Sequence, residues 1–183
     1  MALCTLPIRT ERLEIVQVTE EHLTPRYVGW LNDPEVVRYS EQRFTTHTLE
    51  SCRAYLESFA GTDNLFLALI ADPEPLGHIG NMTAYVDRHG VVDVGILIGE
   101  RAVWGHGYGS EAWQAVCRAL IEGGARKITA GTLSVNKGML AVMERSGMVP
   151  DGRRVRQSVV DGAPVDVVYA ALFADPEGPR PDA

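Results

Sequence analysis

The stretch VWGHGYGSEA, residues 103–112, decides how this chain is read. Gly105, Gly107 and Gly109 alternate within it. An apolar strand-like run, VVDVGILIG at 91–99, precedes the glycines, and a helix-like run, SEAWQAVCRALIEG at 110–123, follows them. A glycine-rich turn between a strand and a helix exposes successive backbone N–H groups at the helix N-terminus. Those groups and the helix dipole together make an anion site, most often for phosphate.

Two common phosphate loops do not fit. A dinucleotide fingerprint needs G-x-G-x-x-G after the first strand of a βαβ unit, with an acidic residue about 20 positions on. Here the spacing is G-x-G-x-G and the loop lies past the middle of the chain. A P-loop needs G-x-x-x-x-G-K-[ST], and no lysine precedes Ser110.

Composition narrows the classes further. The chain has 183 residues, 45% hydrophobic and 22% charged, which is ordinary for a globular protein. Its formal net charge of −7 argues against a nucleic-acid surface and against binding an anionic membrane. No apolar run approaches the roughly 18 residues of a membrane span. The N-terminal MALCTLPIRTERLE lacks the pattern of a secretory signal. Cys4, Cys52 and Cys117 are odd in number and lack metal-ligand spacing, so they read as reduced thiols of a cytoplasmic protein with no metal site.

Working outward from the glycines, strands are expected at 11–18, 64–71, 76–86, 91–99, 125–135, 149–158 and 164–173. Helices are expected at 20–31 with Thr19 as cap, 46–60, 110–123 and 136–147. In the last, Asn136 is the N-cap and Gly147 the C-terminal glycine. Tight turns fall at 87–90 and at Asp161-Gly162. The order β–α–α–β–β–β–α–β–α–β–β describes an α/β chain. Its central mixed, mostly antiparallel sheet has about seven strands, flanked by about four helices. A doubly wound fold would alternate strand and helix throughout. Residues 1–173 read as one domain, and the Pro-rich 174–183 as a disordered tail.

At this point the chain resembles the GNAT N-acetyltransferases. Their loop signature, [Q/R]-x-x-G-x-G/A, reads here Trp104-Gly105-His106-Gly107-Tyr108-Gly109, with tryptophan first. Strand 91–99, the loop and its helix, strand 125–135, Asn136 and the SGM at 146–148 complete the resemblance over roughly 11–173. The tryptophan and the following EA look like the branch containing the ribosomal-protein N-terminal acetyltransferases. The phrase YVGWLNDPEVVRYSEQR (27–43) and HIGN (78–81) look like GNATs of bacterial surface-sugar pathways, whose acceptor is often a nucleotide-linked amino sugar.

The resemblance implies acetyl-CoA as co-substrate, a small-molecule amine as acceptor and direct attack of that amine on the thioester. It assigns the pyrophosphate to the backbone of Gly105, His106, Gly107, Tyr108, Gly109 and Ser110, above Trp104. It assigns the pantetheine to Ile96, Leu97 and Ile98, with a backbone N–H there as oxyanion donor, and a further cofactor contact to Asn136. Asp93 is the candidate base or water-relay anchor, because a carboxylate in an otherwise apolar strand is costly to bury unpaired. An ion-pair or surface role at the strand start is its alternative. Trp30, Arg38, Tyr39 and Asn81 are candidates for the acceptor pocket, with core packing the commoner role for Trp30. His78 and Glu100 weigh less.

The chain departs from the family at the general acid. Met143 stands where many members have tyrosine, and Met139 where the N-terminal acetyltransferase branch has serine. The missing acids tell against N-terminal protein acetylation, which stays an alternative to transfer to a small amine, and leave acyl-CoA binding without transfer as another. A homodimer is implied by the family alone.

Overall fold

The structure, a computed structural model, describes residues 4–71 and 76–175. Eight strands form one sheet: β1 (Ile8–Arg9), β2 (Leu13–Gln17), β3 (Leu65–Ala71), β4 (Gly77–Val86), β5 (Val91–Ile98), β6 (Lys127–Leu133), β7 (Val149–Val160) and β8 (Ala163–Phe173). Their spatial order is β1-β2-β3-β4-β5-β6-β8-β7. All neighbours are antiparallel except β5 and β6. Four α-helices accompany the sheet: α1 (Pro25–Asn32), α2 (Leu49–Glu57), α3 (Tyr108–Glu122) and α4 (Lys137–Arg145). The expected seven strands become eight because β1 is two residues long, too short to show alternation.

Helix starts follow local chemistry. The expected helix at 20–31 divides at Pro25. Residues 20–22 form a single 3-10 turn, and α1 begins afresh with Pro25 in its first turn and the Thr24 side chain accepting from the Tyr27 amide. The helix expected at 46–60 shortens to α2, capped by Thr48, whose hydroxyl accepts from the Ser51 amide. Asn136 caps α4 as expected, accepting from the Met139 amide at 3.2 Å. The last hairpin turns at Asp161-Gly162, with Val160 opposite Ala163. The expected tail, 174–183, lies outside the described residues apart from Ala174 and Asp175.

Two apolar layers sandwich the sheet. On one face α3 presents Ala112, Trp113, Val116, Cys117 and Leu120 to Ile15, Leu67, Leu69, Val92, Val94 and Ile128. On the other, α1 and α2 bring Tyr27, Trp30, Leu31 and Cys52 onto Phe66 and Ala68. Fully burying one such side chain contributes roughly 1.5–3 kcal/mol. The Trp30 ring lies against Gly99, just past β5, where an added Cβ would stand 2.0 Å from a ring carbon. Gly99→Ala should therefore cost about 1–3 kcal/mol through overpacking. Urea unfolding would show this as a lower midpoint with an unchanged slope.

The β5–β6 seam positions everything that follows. It is the sheet's parallel junction, and only Val91–Asp93 pair there, with Lys127–Thr129. Beyond Asp93 the two strands part. The gap between them opens toward the glycine loop.

Candidate active site

The parting strands, the glycine loop, α4 and the loop after α1 enclose a cleft of about 870 Å³. Register fixes which backbone groups face it. The Asp87 amide bonds Val91 O and the Gly99 amide bonds Ile79 O, so odd-numbered residues of β5 turn their peptide groups toward β4. Even-numbered residues turn theirs toward β6, whose pairing with β5 ends at Asp93. The N–H and C=O of Ile96 and the N–H of Ile98 thus present an unpaired strand edge to the cleft. The Ile98 carbonyl is taken by the Trp104 indole N–H at 2.9 Å. Leu97 also lines the cleft, but its peptide faces β4 and its side chain packs toward the α1–α2 layer.

The loop closes the far end. Gly105 and Gly107 sit at φ +77° and +87°, a left-handed region costly to other residues. Gly107 is the N-cap of α3, and the first α3-directed bond runs from the Glu111 amide to Gly107 O. The amides of Tyr108, Gly109 and Ser110 therefore have no intrahelical acceptor and stand at the positive end of the helix dipole. His106 is corrected: its amide turns back to Val103 O at 3.2 Å, and its side chain is not among the cleft residues. Trp104, Gly105, Gly107, Tyr108, Gly109, Ser110 and Asn136 all line the cleft.

A clamp behind the loop escaped the sequence reading. The Arg12 guanidinium donates to Glu111 Oε2 at 2.7 Å and to His106 O at 2.9 Å, and lies 4.2 Å over the Tyr108 ring. Glu111 also accepts from the Thr10 hydroxyl (2.6 Å) and the Arg12 amide (2.9 Å). Nothing local could have signalled a pairing across 99 residues. Burial alone would raise the Glu111 carboxyl, but the bonds from Thr10 and Arg12 hold it below its ordinary value. A carboxyl so depressed stabilises the fold above its unfolded pKa, and that contribution disappears as pH falls through the folded pKa. Glu111→Gln should therefore lose about 1–3 kcal/mol at neutral pH. Urea melts at pH 7 and below pH 4 should show the deficit shrinking in acid.

At the seam, Asp93 Oδ1 accepts from the Thr129 hydroxyl at 3.0 Å. Desolvation raises the carboxyl above its ordinary value, and the Thr129 bond offsets part of the rise. Asp93 lines the same cleft as the β5 edge, as do Tyr39, Glu35 and Glu41 from the loop after α1. Glu35 and Glu41 thus bring carboxylates to the cleft from the loop after α1 and Asp93 from the start of β5, while Arg145 lines the cleft from α4.

Two expected acceptor residues, Trp30 and Asn81, are buried, and a third, Arg38, lines a neighbouring groove. Trp30 is 7% exposed, because its helix face is the apolar one and its ring is spent on Gly99. Asn81 is 5% exposed under the α1–α2 layer, its amide donating to Leu67 O at 3.3 Å. Arg38 lines a neighbouring groove and pairs with Asp161 at 2.6 Å. That groove, about 810 Å³, runs between the loop after α1 and the tip of the β7–β8 hairpin, and Glu41 lines both spaces. His78 is packed against His22, Tyr27 and Trp30, and burial, with His22 adding, pushes it down to about 4. Glu100 is paired with Arg26.

Residues 12–149 match the profile of the family described as acetyltransferase (GNAT) domain. No curated protein matches the chain. Solved structures do. A GNAT-family acetyltransferase from Bacillus anthracis is 22% identical, with a TM-score of 0.76 over 91% of this chain and 98% of that one. The ribosomal-protein-S5-alanine acetyltransferase from Vibrio fischeri is 16% identical, with a TM-score of 0.80 over 96% and 100%. A microcin C7 self-immunity acetyltransferase, solved with acetyl-CoA and AMP, is 11% identical, with a TM-score of 0.75 over 92% and 99%. At these identities the likeness is one of fold.

Proposed function

This chain belongs to the GNAT acetyltransferase family, an N-acetyltransferase drawing on acetyl-CoA, and we propose that its cleft serves direct transfer to a primary amine on a neutral or cationic body. Acetyl-CoA supplies the acyl thioester. The residues present fit it: an unpaired strand edge leads from Asp93 to a cradle of free amides at Gly107–Ser110. That continuous edge carries the reading.

Each residue has a role in this scheme. The amides of Tyr108, Gly109 and Ser110 bind the pyrophosphate, and Asn136 contributes from the α4 side. Ile96 and Ile98 hydrogen-bond the pantetheine arm as a missing strand would, and the Ile96 N–H stabilises the oxyanion. Asp93, held by Thr129, accepts the amine proton, directly or through one water.

The charge at the acceptor end bears on the substrate. Glu35 and Asp93 line the cleft as carboxylates that repel a nucleotide diphosphate and attract an amine, while Glu41 is paired with Arg43. Arg38 and Arg43, which line the neighbouring groove, are already paired with Asp161 and Glu41. The groove suits an extended segment, which favours a peptide N-terminus. The structural neighbour from Vibrio fischeri, named for ribosomal protein S5 alanine, belongs with that reading. A small amino sugar is the second reading, favoured by the 27–43 phrase, whose loop walls both spaces. Thiol release from acetyl-CoA decides between them, with N-terminal peptides, free amino sugars and nucleotide-linked amino sugars as acceptors. Release with peptides supports the first reading and release with sugars the second. CoA binding without release to any amine would overturn transfer in favour of a binding module.

A further inference from the structure

The thiolate that leaves in such a transfer needs a proton, and the two methionines cannot give one. Met139 lines the cleft, and Met143 is 4% exposed in the core. We infer that Tyr169 of β8 is the proton donor. The inference rests on the transfer reading above and adds to it a residue that neither the glycine loop nor the Asn136 helix contains.

Three observations carry it. First, Tyr169 is paired with glycine on both sides, Gly131 of β6 and Gly152 of β7. A Cβ at Gly131 would stand 2.9 Å from Tyr169 Cε1 and 3.1 Å from Cδ1. The ring therefore lies flat across β6, which only a glycine there permits. Second, Gly131 is two residues past Thr129, so strand alternation puts the ring on the face carrying the Thr129–Asp93 bond. Gly131, under the ring, is about 7 Å along the strand from Thr129. Third, Tyr169 lines the cleft together with Asp93, Thr132, Asn136 and Met139. The Arg154 guanidinium lies 5.3 Å from the ring centroid and packs the ring from β7.

The other tyrosines of the cleft are placed for other work. Tyr108 lies under Arg12 at the phosphate end. Tyr39 stands on the loop after α1, beside Arg38. Tyr169 alone of the three is fixed in the sheet next to the seam.

The step balances. The amine nitrogen forms a bond to the acyl carbon, and its surplus proton passes to the Asp93 carboxylate. The carbon–sulfur bond breaks with its electron pair going to sulfur. The Tyr169 O–H gives its proton to that sulfur. The phenolate then regains a proton from solvent as Asp93 releases one, and no other reactant is needed.

Tyr169→Phe keeps the ring on Gly131 and removes only the hydroxyl. With an acceptor that the wild type turns over, kcat should fall about 100-fold, the scale of one general acid, while KM for acetyl-CoA stays within about twofold. A second readout needs no acceptor. In the complex with CoA, the bound thiol is titrated by thiolate absorbance against the ligand-free protein. Loss of a hydrogen bond to the thiolate should move that titration upward by about one pH unit in Tyr169→Phe. An unchanged kcat together with an unchanged thiol titration overturns the assignment. Wild-type silence with every amine would instead tell against transfer, and the thiol titration would still decide whether Tyr169 faces the sulfur.

Discussion

Gly107→Val should reduce CoA affinity at least about 100-fold, enough to abolish detectable turnover at ordinary donor concentrations. The residue sits at φ +87°, and a Cβ there would stand 3.4 Å from the Arg12 guanidinium. A β-branched side chain is strained in this region by about 1–2 kcal/mol or more. The backbone relieves that strain by rotating, and rotation turns the first amides of α3 off the phosphates. Each charge-assisted hydrogen bond lost is worth about 1.5–3 kcal/mol, so one or two suffice for the predicted change. Calorimetric titration with CoA is the measurement, with thermal unfolding alongside. A variant that melts cooperatively and still binds CoA with wild-type affinity would remove the phosphate role from this loop.

Asp93→Asn carries the second large effect. The amide still accepts the Thr129 bond, so the seam keeps its geometry, but the proton acceptor is gone. We expect kcat to fall about 100- to 10,000-fold, the range for a general base, with CoA affinity nearly unchanged. The wild-type rate should rise with pH through the Asp93 pKa, which burial has moved upward. The variant's rate should lack that limb. Stability should change in the opposite sense. A carboxyl whose folded pKa is raised favours the folded state below its unfolded pKa, and this support is lost as pH rises through the folded pKa. Asp93 is exposed at the cleft, so its desolvation is partial, and at neutral pH the variant is relieved of only that partial cost. The variant should therefore melt higher at pH 7, and the two curves should converge in acid. Equal melting at pH 7 together with wild-type turnover would leave Asp93 a surface residue at a strand start.

The sequence made the strand–loop–helix unit legible because each of its parts is a short-range pattern. The alternation of 91–98, the glycines, the apolar face of α3 and the cap at Asn136 all declare themselves within one element. What it hid is pairwise and distant. Arg12 and Glu111 meet only once β2 lies beside the start of α3. For Trp30 core packing is the commoner reading, but no local pattern shows that Gly99 will receive its ring. Asn81 was misread because burial of a strand face depends on which helices cover it, and α1 and α2 are far away in the chain. Tyr169 was overlooked for the same reason: Gly131 and Gly152 explain it only after β6, β8 and β7 are side by side. Leu97 shows a finer limit, since the direction of a peptide group follows from register, not from residue type.

The three-residue pairing of Val91–Asp93 with Lys127–Thr129 has a mechanical consequence. Five strands stand on one side of this narrow weld and three on the other, so three residue pairs join the sheet's two blocks. A ligand laid along the open edge acts as a splint. It ties its own occupancy to the resistance of the whole sheet, adding about 2.7 kcal/mol at a concentration a hundred times its dissociation constant. Under the proposed transfer, every round would end with the splint withdrawn, and the seam would be held by its three residue pairs alone until the next CoA engages.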